Sequence, residues 1–158
     1  MERETHFNHH DLVALKKRFA AVSFDDGFLA RAWQLAQLPE LSLFPLIGRT
    51  LNHFNPDNSG ELTFDEFTRA MSALSGRATL EEKLRFTFDI FDPNGDGSMQ
   101  STELFTLLCT LVGNRHNHEN LQRIVDGYMG RCPAGITFEV FQEFFDVSDL
   151  TKLTLNVL

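Results

Sequence analysis

A stretch of twelve residues that begins at Asp92 carries oxygen-bearing side chains at alternating positions. Asp92, Asn94 and Asp96 each offer a side-chain oxygen, and Glu103 ends the stretch with a carboxylate that can supply two. Gly97 permits the sharp turn that brings these oxygens round one centre. A hard divalent cation such as Ca²⁺ takes about six to eight oxygen ligands, and this spacing supplies them. The predicted calcium ligands are Asp92, Asn94, Asp96, Ser98, Gln100 and Glu103.

A simple polar turn between two helices is the competing interpretation of these residues. Asp, Asn and Gly are common in turns, but a turn does not need an oxygen at every ligand position. Here the carbonyl of Ser98 serves loop position 7, and the Gln100 side chain serves position 9, directly or through a water. Apolar residues recur at helical spacing on both sides. The pattern is typical of the EF-hand, a helix–loop–helix unit that binds calcium.

A second loop with the same spacing is centred on Gly60. Its predicted ligands are Asn55, Asp57, Ser59, Glu61 (through its carbonyl), Thr63 and Glu66. Asn55 stands at position 1, where the Asp92 loop has an aspartate, so the ligand shell of the Asn55 loop has fewer carboxylates. Because affinity follows ligand charge, we expect the Asp92 loop to bind calcium at about 10⁻⁷ to 10⁻⁵ M and the Asn55 loop to bind more weakly. One or two calcium ions are therefore expected, with Mg²⁺ as an alternative occupant at rest.

Two further units have the helices of an EF-hand without its ligands. In the first unit, Arg31 falls on loop position 9 and Gln34 on position 12, so a cation stands beside the site and no carboxylate closes it. In the fourth, taking Ile136 as position 8 puts Met129 at position 1 and Val140 at position 12. We interpret both as scaffolding, because each EF-hand must bury its apolar face against a partner.

The periodicity of apolar residues predicts an all-α fold with eight helices, of which the second spans 28–38. The helices form four EF-hand helix–loop–helix units in two lobes, and short two-stranded contacts join the paired loops through position-8 residues such as Leu62 and Met99. The predicted segments are a flexible N-terminal arm (1–10), an N-terminal lobe (11–75), a linker (76–79), a C-terminal lobe (80–148) and an apolar C-terminal arm (149–158).

Composition narrows the classes of function. A net charge of −8 opposes unaided binding to nucleic acid. No apolar run approaches the ~20 residues that span a bilayer, and Glu2 stands where N-myristoylation requires glycine. Cys109, in an apolar helical stretch, is predicted to be buried, and with Cys132 it forms no disulfide framework. We therefore expect a cytoplasmic protein without a membrane anchor, and no catalytic motif suggests an enzyme.

Three segments resemble the regulatory B subunit of calcineurin, the calcium-dependent Ser/Thr protein phosphatase. They read EEKLRFTFDIFD at 81–92, ELF at 103–105 with LVGN at 111–114, and LQRIVD at 121–126. The similarity covers about residues 10 to 158. It implies a regulatory chain that clasps a long amphipathic helix of the phosphatase catalytic chain, under calcium control. The sequence departs from that family in its two dismantled loops and in the missing myristoylation glycine.

A helix-binding role also follows from the EF-hand itself, because calcium opens such a pair and exposes an apolar groove. The candidate lining residues are Phe54, Phe67, Met71, Leu74, Phe88, Phe105, Leu108, Leu111 and Phe141. The alternative for each of these residues is that it packs in the core of its own EF-hand unit and lines no groove.

A different partner is the second hypothesis for the whole chain. The protein would then be a calcineurin B-like sensor, or a light-chain-like module that holds a kinase, transporter or cytoskeletal protein regardless of calcium. Its sixteen Phe and four Met favour a stiff interior over an adaptable one.

Overall fold

The computed structural model describes residues 5–55, 57, 59–112 and 117–144. Its helices are α1 (His9–Val22), α2 (Ala32–Ala36), α3 (Ile47–His53), α4 (Phe64–Leu74), α5 (Leu80–Phe91), α6 (Ser101–Val112), α7 (His118–Arg131) and α8 (Phe138–Phe144). Its strands are β1 (Ser23–Phe24), β2 (Leu29–Arg31), β3 (Glu61–Thr63), β4 (Ser98–Met99) and β5 (Ile136–Thr137). The predicted all-α EF-hand fold is confirmed. Within the described ranges, no helix is long and apolar enough to cross a membrane.

The chain divides into two compact units between Thr79 and Leu80, here called the N-terminal lobe and the C-terminal lobe. In the N-terminal lobe, the ring of Phe19 packs against those of Phe64 and Phe67, with centroids 5.6 and 5.5 Å away. In the C-terminal lobe, Phe88 meets Phe138 edge-on at 5.8 Å and Phe141 at 5.4 Å. Such pairs add about 0.5–1.5 kcal/mol to the burial of the rings themselves. Each lobe therefore has an aromatic core of its own.

Residues 6–10, within the predicted flexible arm over 1–10, make defined contacts with the N-terminal lobe. Asn8 and Asp11 form a reciprocal capping box at the start of α1, each accepting the other's backbone N–H at 3.0 Å. Phe7 is only 4% exposed, and the N–H of His6 donates to Ser72 Oγ at 2.9 Å. Residues 6–10 therefore belong to the packed N-terminal lobe, and that part of the prediction is wrong.

The segment predicted as a linker over 76–79 is also anchored to the N-terminal lobe. Arg77 forms an ion pair with Asp11 and donates a hydrogen bond to the His6 carbonyl at 3.0 Å. The hydrogen bond from Arg77 holds the pKa of Asp11 below its usual value, and the same bond raises the pKa of Arg77. Ala78, the next residue in the chain, is buried. Arg77 thereby ties the end of the lobe to its beginning.

The loops of the N-terminal lobe pair through a three-stranded antiparallel sheet in the order β1-β2-β3. Ala30, at position 8 of the first loop, lies opposite Leu62, and both are fully buried. The sequence anticipates this contact but not β1. The backbone of Asp25 is left-handed (φ 53°) and turns the chain into a β1–β2 hairpin. The predicted helix over 28–38 is therefore wrong in its first turn, and α2 has only five residues.

In the C-terminal lobe, β4 and β5 form the predicted two-stranded contact. Met99 lies opposite Ile136, and both side chains are fully buried. This register supports Ile136 as position 8 of the fourth loop. Arg85 places its guanidinium 3.4 Å from the centre of the Phe138 ring, directly after β5. The predicted C-terminal arm over 149–158 lies outside the described residues.

Candidate metal centre

The Asp92 loop connects α5 to α6 and is held in a turn by its own backbone. Gly97 adopts a left-handed conformation (φ 77°), and its N–H donates to Asp92 Oδ2 at 2.9 Å. A Cβ at Gly97 would meet nothing within 4 Å, so the backbone angle rather than lack of space calls for glycine. The bond leaves one oxygen of Asp92 for another partner.

That second oxygen, Asp92 Oδ1, is the strongest sign that the loop fits a cation. Asp92 is 8% exposed, and Oδ1 is buried without a hydrogen-bond partner. A buried acceptor without a donor costs about 1–3 kcal/mol, and more when it is charged. A cation at the centre of the loop would satisfy this oxygen. Asp92 would therefore hold the ion at position 1, as the spacing predicts.

The next two predicted ligands are already arranged by hydrogen bonds. Asp96 accepts the Ser98 N–H at Oδ1 (2.8 Å) and the Asn94 amide NH₂ at Oδ2 (2.7 Å). Since the nitrogen of Asn94 is used in that bond, its carbonyl oxygen is the atom left to ligate. Both side chains are exposed, so an ion can reach them.

The closing glutamates of both loops are held at the start of the following helix. Glu103 Oε2 accepts the Gln100 N–H at 2.7 Å, and Glu66 Oε2 accepts the Thr63 N–H at 2.8 Å and its hydroxyl at 2.9 Å. Across the described part of the chain, no three His, Cys, Asp or Glu side chains converge as an ion-binding group. Ligation by all three carboxylates of the Asp92 loop therefore requires rearrangement, such as rotation of Glu103 away from Gln100.

The Asn55 loop has a similar arrangement of oxygens but less negative charge. Asn55 is buried, and its Oδ1 accepts the Ser59 hydroxyl at 3.4 Å. The same hydroxyl lies 3.2 Å from the Glu61 carbonyl, another predicted ligand. The Ser59 N–H donates to Asp57 at 3.1 Å and lowers the pKa of that carboxyl. The loop thus holds its oxygens together, but with a neutral amide where the Asp92 loop has a charge.

The degenerate loops lack the closing glutamate, because Gln34 and Val140 stand at position 12. In the first, Arg31 lies over the Phe24 ring, 5.3 Å from its centre. In the fourth, residues 132–135 form a tight turn in which the Gly135 N–H donates to the Cys132 carbonyl at 3.0 Å. An arginine in the first loop and a four-residue turn in the fourth stand where ligands would lie. This agrees with the interpretation of both loops as scaffolding.

The nine predicted groove residues separate into two groups. Five of them are buried in the core of their own lobe and line no surface in this conformation: Phe67, Met71, Leu74, Phe88 and Phe141. The other four are half-buried: Phe54, Phe105, Leu108 and Leu111. For the first group, packing in the core is therefore the correct alternative.

Helix α6 supplies most of the exposed apolar surface in the second group. Only Leu104 and Leu107 are buried on this helix. Its other apolar side chains are half-buried: Phe105, Leu108, Cys109, Leu111 and Val112. The prediction of a buried Cys109 is therefore wrong. Val112 was not among the predicted groove residues, although an apolar helix with two faces to cover is a signal for it.

Two helix–loop–helix pairs, each joined by strands at loop position 8 and each with one oxygen-lined loop, define an EF-hand protein. The EF-hand domain pair family matches residues 58–109. The chain is 33% identical over 158 residues to the calcineurin B subunit of Candida glabrata, covering 97% of this chain and 90% of that protein. It is 37% identical over 155 residues to the type 2 calcineurin B subunit of Rattus norvegicus, covering 96% and 88%.

The calcineurin B subunit of Naegleria gruberi is 31% identical over 162 residues, covering 99% of this chain and 92% of that protein. The chain therefore belongs to the calcineurin B family, as the resemblance predicts, and it is a calcium-binding protein of the EF-hand class.

Proposed function

We propose that this protein is the calcium-binding regulatory subunit of a calcineurin-type Ser/Thr phosphatase and that it clasps an amphipathic helix of the catalytic subunit. Membership of the family over nearly the whole chain supports the proposal. The observation that carries it is the partly exposed apolar face of α6. The protein itself is proposed to be non-catalytic and intracellular.

The α6 face has the spacing that helix recognition requires. Phe105, Leu108 and Leu111 follow one another at intervals of three residues, so they lie on neighbouring turns of one side of the helix. Full burial of such a side chain contributes about 1.5–3 kcal/mol, and partial exposure forgoes part of that contribution. A partner helix with its own apolar stripe would recover it.

The calcium loop leads directly into the helix that carries this face. Glu103, the closing ligand, lies in the first turn of α6, two residues before Phe105. We infer that the start of α6 shifts when Glu103 leaves the Gln100 N–H to complete the ligand shell. We propose that this movement presents the apolar face to the partner helix. The primary site is Asp92–Glu103, and the Asn55–Glu66 loop is a weaker second site.

The experiment is a binding titration between the purified protein and a labelled peptide that carries the clasped helix of a calcineurin catalytic chain. Leu108→Glu places a charge in the proposed interface, and we expect at least about a ten-fold loss of affinity. Leu43→Glu is the matched control, because Leu43 is 90% exposed in the N-terminal lobe. Wild-type affinity in the Leu108→Glu variant would contradict the proposal.

The same titration in calcium and in chelator separates the second candidate function. The densely buried Phe67, Met71 and Leu74 favour a preformed lobe that needs no calcium to hold its shape. Equal affinity in both conditions would identify a constitutive, light-chain-like module instead of a switch.

A further inference from the structure

The fourth loop touches ligand residues of the third loop, beyond the strand pair that joins them. The Ser98 hydroxyl donates to the Ala134 carbonyl at 3.2 Å, and the Gln100 side-chain NH₂ donates to Ser98 Oγ at 3.1 Å. Ser98 and Gln100 hold positions 7 and 9 of the Asp92 loop. The fourth loop, which lacks a ligand set, therefore contacts position 7 of its neighbour directly and is linked to position 9 through Ser98.

The chemistry of these groups fixes the orientation of the Gln100 amide. The Ala134 carbonyl can only accept, so the Ser98 hydroxyl must give its single hydrogen to it. Ser98 Oγ can then only accept from Gln100, which must turn its NH₂ toward Ser98. Gln100 Oε1 is left as the unused end of the amide. An oxygen, and not an NH₂ group, is what calcium or a calcium-bound water requires at position 9.

Gly135 allows the two loops to come this close. A Cβ at this position would overlap Ser98 Oγ and would lie 2.6 Å from Gln100 Nε2, well inside any normal contact distance. Its φ of 105° also disfavours every side chain. The next residue, Ile136, is held opposite Met99 by the strand pair. The turn of the fourth loop thus lies against Ser98 next to the strand pair.

We propose that the fourth loop, which lacks a ligand set, raises the calcium affinity of the third loop by orienting Gln100 through Ser98. Ala134, Gly135 and the Ser98 side chain are positioning residues in this series of hydrogen bonds, and Gln100 is the residue they position. The inference rests on the proposed calcium site at Asp92–Glu103.

The test is a calorimetric calcium titration of the full chain, its Ser98→Ala and Gln100→Ala variants and the double variant. Loss of one hydrogen bond of this kind corresponds to about a two- to ten-fold weakening, which we expect for Ser98→Ala. Because Ser98 acts through Gln100, the double variant should bind no more weakly than Gln100→Ala alone. Ser101→Ala, on the same loop but outside the hydrogen bonds, should bind as the wild type does.

A glycine pair tests the role of the fourth loop itself. Gly135→Ala should weaken calcium binding at least as much as Ser98→Ala. Gly130→Ala, in α7 of the same hand, should not, because a Cβ there meets nothing within 4 Å and its φ is ordinary. Should Gly135→Ala fail to fold, the Ser98 and Gln100 variants still decide the question.

The variants separate failure of the orienting role from failure of the calcium site itself. Glu103→Gln should abolish the strong calcium site, and if it does not, the site assignment itself fails. If Glu103→Gln abolishes the site while Ser98→Ala keeps wild-type affinity, the orienting role is overturned. Additive effects of Ser98→Ala and Gln100→Ala would overturn it as well.

Discussion

Replacement of Asp92 by asparagine should strengthen the metal-free protein and weaken its response to calcium. Asp92 Oδ1 is a buried, charged oxygen without a hydrogen-bond partner, whereas Oδ2 accepts the Gly97 N–H. Asparagine keeps an oxygen for Gly97 and removes the charge. A buried unsatisfied group costs about 1–3 kcal/mol and more when it is charged; because the new NH₂ is also unsatisfied but neutral, we expect about 1 kcal/mol of stabilisation in chelator.

Calcium should cancel the stability advantage of the Asp92→Asn variant. At a calcium concentration 100 times the wild-type Kd, binding stabilises the wild type by about 2.7 kcal/mol. Loss of one of three ligating carboxylates should weaken binding at least about ten-fold, so the variant should gain about 1.4 kcal/mol at the same concentration. The stabilisation by calcium should therefore fall to about half, which offsets the advantage seen in chelator.

The two lobes can be followed separately in a thermal unfolding experiment, because the chain has one Trp and one Tyr. Tyr128 lies in α7 and packs on Phe144 at 4.1 Å, so its absorbance reports the C-terminal lobe, whereas Trp33 reports the N-terminal lobe. Asp126→Asn is the charge-matched control, because it lies exposed on α7 and its bond from Gln122 survives the change. A lower Tyr128 midpoint for Asp92→Asn in chelator, or an unchanged calcium response, would refute the reasoning.

Two further predictions concern the N-terminal lobe. Asn55→Asp should raise the affinity of the second loop about ten-fold, because it adds a carboxylate beside Asp57, and calorimetry should then resolve a second binding event of near-equal strength. If the second event stays weak, ligand charge does not limit this loop. Arg77→Gln should lower the Trp33-reported midpoint near pH 7, because Asp11 loses its ion pair. The pKa of Asp11 is depressed in the folded protein, so the stability it contributes is present above about pH 4 and is lost as pH falls through the folded value. The loss of stability on acidification should therefore be smaller in Arg77→Gln than in the wild type. An identical dependence of the unfolding midpoint on pH would contradict the role assigned to the pair.

Local patterns predict most of the helices and the pairing of the loops, but not the short extent of α2. The helical spacing of apolar residues is set by the 3.6-residue turn, and position 8 is fixed by the ligand spacing around Gly60 and Gly97. Both features depend on neighbours in sequence. The pairs Ala30–Leu62 and Met99–Ile136 therefore follow from the loops themselves.

These local patterns do not predict contacts between residues that are far apart in the sequence. Arg77 meets Asp11 across 66 residues and Ser98 meets Ala134 across 36, and no periodicity indicates either pair. The β1–β2 hairpin depends on the left-handed backbone of Asp25, which a non-glycine residue seldom adopts. Helical spacing also fails to distinguish Phe88, which is core, from Phe105, which is half-exposed, because both lie on apolar faces.

We propose that calcium in the Asp92–Glu103 loop controls the affinity for a partner helix. The most direct measurement is the affinity for the catalytic-chain helix peptide, with calcium and with chelator, in the wild type, Glu103→Gln and Glu66→Gln. We predict that calcium tightens wild-type binding by about 1–3 kcal/mol, that Glu103→Gln abolishes this coupling and that Glu66→Gln keeps most of it. Full calcium coupling in Glu103→Gln, or its loss in Glu66→Gln alone, would contradict the claim.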